Sequence, residues 1–506
     1  MMARAVLTLI FAECILAASA TQGNESASPD SLSIIDREAI ETVSSARMFE
    51  SIYSNPAMTS LRRDNSYSSA GLEWGYRTAR DGQPYNPATG CSENHGAFSA
   101  DTYLKHGNST LSGFASYTTG KIRSMEWCET SDYEMVYPYI MADEAGGNLN
   151  EEIYRFGGGI STNSGRWHYG ASLAYKAGLY YRSIDPRPRN VTGLLNLGVG
   201  GGIAAGRPIY AIGIRADKYK QTNSIEFMRE LGSTKIYHLT GLGTDYARFA
   251  GAGVSTYYTG WRYGASADIH PQATRTGLTA HAAISRLALT NIISDLNKLP
   301  MASIREMGYQ VEAGWKGRII AAKAYAHVTR RLGDENIFGD AQSGSYPRIA
   351  SLTLYAHNHV STGADMAVTV CSSKKWNIKT AAHAAYTHDN QVQASAKARR
   401  VVNNLDLGLD GVASYRASVG TLLTARLTYS HRHPLEQMFT PPSTGIQGAI
   451  DAAYARFITD SRQLNCIIGS LGFTQALPHS LALHILATAS LSTQATVSTV
   501  NIAILF

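Results

Sequence analysis

Charge is scarce in this sequence: Asp, Glu, Lys and Arg make up 17% of its 506 residues, against about 25% in an ordinary soluble domain. Glu and Lys are too few for a coiled coil, and a hydrophobic share of 44% excludes a disordered chain. Long apolar runs are missing too. Beyond Ala20 no stretch reaches the ~18 apolar residues of a membrane helix, and the mean hydropathy is −0.16. Proline stands at 15 and cysteine at 5, with no CxxC or other zinc spacing. The chain instead carries 46 Gly and 29 Tyr. This is the composition of a large sheet with one greasy and one wet face.

Met1–Ala20 has one Arg near its start, an apolar stretch and a closing Ala18-Ser19-Ala20, as a secretory signal peptide does. Cys14 follows Glu13 rather than the small residue that a lipidation site needs. Thr21–Arg63 is polar and does not alternate, with a short amphipathic helix expected near Ser33–Met48. It is too short for a large globular plug; it either rests at the periplasmic mouth of a barrel or enters the lumen. Residues 64–506 form the remaining region.

There the dominant period is two. In Arg166–Arg182 the odd positions are Trp167, Tyr169, Ala171, Leu173, Tyr175, Ala177, Leu179 and Tyr181, while Arg166, His168, Lys176 and Arg182 fall on the even ones. A strand separates these sets cleanly and a helix does not. Leu72/Trp74/Tyr76, Met307/Tyr309/Val311/Trp315 and Leu423/Leu427/Tyr429 repeat the pattern. About twenty such segments of ~9–15 residues match tilted membrane strands. Short connections (Gly107-Asn108, Asn163-Ser164-Gly165, Gly206-Arg207) alternate with long ones (Gly120–Asn150, Asp185–Asn190, Gln221–Thr234). Near 270–300 and 433–447 no pairing is evident. The chain ends Val500-Asn501-Ile502-Ala503-Ile504-Leu505-Phe506, an alternating run closed by an aromatic, which resembles the outer-membrane sorting signal. The expected fold is all-β, a transmembrane antiparallel barrel of about 18–22 strands, in the outer membrane. Its expected partners are outer-membrane lipid and the barrel-assembly machinery, with no nucleic acid.

Several motifs resemble a known group. Asn55-Pro56-Ala57, Tyr137–Asp143, Tyr181–Asn190, Lys218–Phe227 and Tyr237–Gly251, in that order, are similar to Bacteroidota proteins grouped as outer-membrane barrels of unknown function. The resemblance implies the architecture and the location and no activity. Asn-Pro-Ala near the amino end also occurs in long-chain fatty-acid channels, which the rest of the chain does not follow.

Charges cannot face hydrocarbon cheaply, at ~2–4 kcal/mol for a mid-membrane Arg or Lys. The alternation therefore directs Arg77, Arg155, Arg166, Lys176, Arg182, Arg215, Lys323, Lys379, Lys397, Arg399, Arg426 and Arg432 inward, with Glu73, Asp217, Glu306, Glu312, Asp406, Asp410 and Asp451 as the fewer inward acids. A cationic lumen favours anionic solutes; mutual pairing that stiffens the wall is the alternative. Glu126, Trp127, Tyr133, Tyr137, Tyr139 and Asp143 set aromatics beside carboxylates, as a sugar or Ca²⁺ site does. A loop folded into the barrel mouth has the same composition. Gly198–Gly202 lacks the strand–turn–helix setting of a phosphate loop, and its glycines relieve crowding in a strand. His357/His359 and His431/His433 each place imidazoles on one strand face, with a third metal ligand still to be found. Cys91 and Cys128 either pair or stand as unrelated thiols. No cofactor or metal is assigned, and no GxSxG or other nucleophile signature points to an enzyme. The functional expectation is a passive channel or transporter for small, anion-leaning solutes. A closed barrel acting as a surface receptor through Gly120–Asn150 and Gln221–Thr234 is the first alternative, and an outer-membrane hydrolase the second.

Overall fold

The computed structural model describes residues 32–80, 86–228, 234–249, 255–272, 276–341 and 345–506. The expected signal peptide lies outside them. Helix α1 (Ile34–Thr42) opens the described chain, capped by Ser33, whose side chain accepts from Asp36 N at 3.2 Å. Helix α2 (Glu50–Tyr53) follows, and then a 3₁₀ turn over Pro56–Leu61.

The wall begins with β1 (Tyr67–Ala79), β2 (Ser92–His106) and β3 (Ser109–Met125). The next outer segment carries α3 (Tyr133–Val136) and β4 (Tyr139–Ala142). Strands β5 (Gly147–Ser164), β6 (Trp167–Tyr181), β7 (Arg187–Ala204) and β8 (Pro208–Glu226) return to the wall. A second outer segment holds β9 (Tyr237–Gly241) and β10 (Thr244–Asp245). The wall continues through β11 (Ser255–Pro271), β12 (Gly277–Ile293), β13 (Leu299–Lys316), β14 (Ile320–Phe338) and β15 (Arg348–Ser372). Strands β16 (Trp376–Gln393), β17 (Ala398–Ser418) and β18 (Thr421–Thr440) lead to helix α4 (Gln447–Asp460). Finally β19 (Leu464–Ala476), β20 (Ala482–Ser492) and β21 (Ala495–Leu505) complete the circuit.

Eighteen of these strands form one closed antiparallel sheet, β21 pairing with β1 from Ser69↔Leu505 to Ala79↔Ala495. Phe506 extends that ladder, exchanging backbone hydrogen bonds with Ser68 at 3.0 Å both ways. Closure satisfies every backbone group that hydrocarbon would leave unpaired, at several kcal/mol each. The apolar member of each alternating pair faces out. Leu72, Trp74, Tyr76, Trp167, Leu173, Ile212 and Ile214 are exposed on that outer wall, where lipid solvates them. Strand β15 has 25 residues, far more than the ~9–11 that span a bilayer. The wall on that side therefore extends beyond the lipid.

Both regions without evident pairing contain strand: β12 crosses the first, and β18 runs into the second as far as Thr440. Strand β12 pairs with β11 without a break, and with β13 with one register shift between Asn291 and Ile292. Its outer face carries Ala280, Ala282 and Ala288 among larger apolar residues and is interrupted by exposed Arg286, and its turn uses Asn297 and Lys298 at positive φ instead of glycine. Strand β18 runs through Pro434, where its register against β17 shifts between Val402 and Asn404. Asp451 belongs to α4, bonded to Gln447, and not to an inward strand face.

Four of the cations expected inside the barrel, Arg166, Lys397, Arg399 and Arg182, do not line its inner strand faces. Arg166 sits in the turn between β5 and β6, and Lys397 in the turn before β17. Arg399 bonds outward-facing Asn390, because Leu407 and Leu409 fix the odd positions of β17 outside; beyond the lipid a charge there has no desolvation cost to avoid. Arg182 lies just past β6, buried against loop carboxylates.

Candidate functional site

Arg77, Arg155, Lys176, Arg215, Lys323, Lys379, Arg426 and Arg432 do point into the lumen, and most meet an acid there. Arg77 faces Glu93 at 3.3 Å, Lys176 faces Asp132 at 2.7 Å, and Lys323 faces Glu312 at 3.2 Å. Arg426 and Arg432 pair with Asp410 and Asp406, each at 2.8 Å. Lys379 donates to the Val43 carbonyl at 3.0 Å. Most of these inward cations are thus matched by a neighbouring acid.

The N-terminal segment lies within this lumen. Ile34, Ile35 and Ala39 of α1 pack on Leu422, Ala482 and Leu505, while Asp36 pairs with Arg416. Phe49, Ile52, Tyr53, Met58 and Leu61 pack against Ile209, Ala211 and Ala321 on another part of the wall. Between these lies Asn55-Pro56-Ala57. Asn55 Oδ1 accepts from Ala57 N at 3.1 Å, capping the 3₁₀ turn, while its Nδ2 donates to Asp268 Oδ2 at 2.7 Å. Asp268 Oδ1 lies 2.6 Å from His281 Nδ1, both side chains buried. Ser161 Oγ donates to Ala57 O at 3.2 Å, Ser51 Oγ to Glu312 Oε2 at 2.6 Å, and Tyr53 OH meets His270 Nε2 at 2.9 Å.

Glycines in the facing strands admit this turn. A Cβ on Gly170 would stand 2.1 Å from Pro56 O, and one on Gly200 would stand 2.0 Å from Asn55 Oδ1. The Gly198–Gly202 run and the Asn-Pro-Ala motif are two halves of one seat. Asn55→Ala is expected to weaken the docked segment by ~1–3 kcal/mol, through the lost cap and a buried carboxylate short of a donor. Faster trypsin cleavage at Arg47, Arg62 and Arg63, with the barrel intact, is the readout.

Above the turn the lumen holds a cavity of about 500 Å³ with Asn55 and Pro56 in its lining. Its walls present Arg215 and Asn196, both 2.7 Å from Asp217 Oδ1. Glu306 there bridges Arg262 at 3.0 Å and Arg331 at 2.5 Å. His281, Gln310 and His327 add further donors and acceptors. Such a chamber suits a small, polar, water-soluble molecule.

The outer segments fold inward. Strand β4 pairs with β9, and β9 with β10, forming a small sheet apart from the wall. Arg182 ties it down, reaching Glu129 at 2.5 Å and Asp143 at 2.6 Å, with all three side chains at most 4% exposed. Tyr139 is fully buried, and its carbonyl accepts from Tyr258 OH at 3.0 Å. Tyr133 and Tyr137 lie 5.2 and 5.7 Å from the Arg456 guanidinium of α4; burial pushes both phenols up from their ordinary pKa. Trp127 packs on Tyr237 at 6.0 Å. Glu126 is exposed. The aromatic and acidic residues of this stretch thus largely form an internal lock.

Cys91 and Cys128 are both free thiols. Burial pushes the Cys128 thiol up to about 12, so at pH 8 its reactive thiolate is on the order of one part in ten thousand. Maleimide should label Cys91 in the folded protein and leave Cys128 unmodified until denaturant is added; mass spectrometry of the labelled peptides reads the difference.

This is an outer-membrane-type β-barrel whose amino-terminal segment packs against its inner wall. The chain belongs to DUF6850, a family of unknown function, whose model matches residues 56–502. No curated protein matches the sequence. Among solved structures it is similar to a mutant of the ferric enterobactin receptor PfeA from Pseudomonas aeruginosa (10% identity, TM-score 0.36, covering 87% of this chain and 80% of that one). BauA, the ferric preacinetobactin receptor from Acinetobacter baumannii, matches at 7% identity and TM-score 0.41, covering 88% and 80%. The ferric citrate transporter FecA matches at 8% and 0.40, covering 87% and 79%.

Proposed function

We propose that the protein is a gated outer-membrane conduit for a small polar solute carrying both donor and acceptor groups. The observation that carries this reading is the chamber beside Arg215, Asp217, Arg262 and Glu306, lined on one side by the Asn55-Pro56 turn. Opposite charges fixed on neighbouring strands can grip a zwitterion or a hydroxylated acid at both ends. The segment beneath is held by two apolar clusters, an ion pair and several hydrogen bonds, none of them part of the strand ladder, so its departure would open the path without disturbing the wall.

Uptake into proteoliposomes of labelled amino acids, sugars and organic acids tests this reading. Saturable entry of one class is expected. Arg262→Leu combined with Glu306→Leu, which removes both charges together, should lower that entry by at least about tenfold, the loss of one or two charge-assisted contacts. If no class enters through the wild type or through a variant with the segment released, transport is refuted. The inward lock of the outer segments would then favour a closed receptor.

A further inference from the structure

We propose that His357, His359 and Asp389 form a binding site for a borderline divalent cation such as Zn²⁺ or Ni²⁺ on the lumenal wall. His357 and His359 stand two residues apart on β15, hence on one face, and the β15–β16 register sets Asp389 directly opposite His359. Asp389 Oδ2 lies 2.6 Å from His357 Nε2 and 3.4 Å from His359 Nδ1. The three ligand atoms fall within 4.8 Å of one another, a spread that small side-chain rotations close onto a cation at ~2.0–2.2 Å from each. Two imidazoles and one carboxylate suit Zn, Ni, Cu or Fe, and not the all-oxygen preference of Ca²⁺ or Mg²⁺.

The surroundings fit a ligand set. The second carboxylate oxygen, Oδ1, accepts from Gln391 Nε2 at 3.1 Å and Arg400 Nη1 at 2.5 Å, which fixes Asp389 and leaves Oδ2 to the cation. Neighbouring guanidiniums are themselves matched, Arg400 also by Asp460 and Arg331, in register with His357, by Glu306. The His357 and His359 side chains are 21% and 41% exposed, so lumen water reaches them. Thr329, in register with His359, lines the chamber. Three protein ligands leave a coordination position open toward that space. By contrast His431, of the other histidine pair, meets Asn465 Oδ1 at 2.8 Å and, among the described residues, no carboxylate.

The test is Co²⁺ absorption and Zn²⁺ competition on the full chain in detergent micelles, free of any histidine tag. One cation per chain is expected. Asp389→Asn and His359→Gln should each weaken binding by at least about tenfold, and Gln391→Leu, which spares the ligands, by a similar factor. His431→Gln should leave it unchanged. Heat-modifiable gel migration confirms that each variant is folded. Wild-type affinity no tighter than that of His359→Gln, or a loss in His431→Gln equal to that in His359→Gln, would overturn the site. This proposal stands independently of the transport reading.

Discussion

Replacing Gly200 by valine is expected to expel the Asn55-Pro56-Ala57 turn from the barrel wall. A Cβ there would lie 2.0 Å from Asn55 Oδ1, and valine adds two methyls beyond it. The wall cannot yield, since β7 is bonded along its length to β6 and β8. The turn must move, breaking the Asn55–Asp268 hydrogen bond. Apolar anchors such as Phe49 and Met58 would then lose much of their burial, at ~1.5–3 kcal/mol each. Gly170→Val, directed at Pro56 O, should act alike. Cleavage at Arg47 and Arg62 by trypsin should accelerate by more than about tenfold, the factor that ~1.4 kcal/mol of lost docking implies when opening is fast, while strand content by circular dichroism stays unchanged. Gly206→Val is the control, since among the described residues nothing lies within 4 Å of a Cβ there; its positive φ is expected to cost some stability without releasing the segment.

The second large effect concerns the outer lock. Arg182→Met leaves Glu129 and Asp143 buried without their counter-ion, and breaking a buried pair from one side costs ~3–5 kcal/mol. The lock is local, so the expected result is not loss of the barrel. Residues 126–146 should become sensitive to protease and should exchange amide hydrogens rapidly, while the ladder from β15 to β21 remains protected. Changing Glu129 and Asp143 to Gln and Asn alongside Arg182→Met should recover much of the loss, because the uncompensated charges are removed with it. Unchanged protection in the single variant would show that this ion cluster does not hold the segment.

The barrel is legible in the sequence because its driving pattern is local: outward Trp74, Tyr169 and Leu427 are each read from their next-but-one neighbours. The strands that escape notice fail for nameable reasons, an alanine-rich outer face broken by Arg286 in β12 and Pro434 within β18. The rule that turns charges inward holds only where lipid touches the wall, and Arg399 lies beyond that zone. The lumen is less legible because its contacts are set by barrel closure. Asn55 and Gly200 are each conspicuous, yet nothing along the chain says that one seats the other. Asp389 becomes the partner of His357 and His359 only once the β15–β16 register is known. Tyr133, Tyr137 and Asp143 have the composition of an outward-facing binding loop, and only their burial and the reach of Arg182 and Arg456 show that they face inward.

The central claim is that the amino-terminal segment docks inside a closed barrel and narrows its lumen. Single-channel recording of the full chain in planar bilayers, before and after trypsin is added on the side of the chain termini, tests it most directly. The expected result is a small or absent conductance that rises stepwise on cleavage, with Gly200→Val already in the higher state. A large steady conductance in the intact protein, unchanged by cleavage and by Gly200→Val, would contradict it.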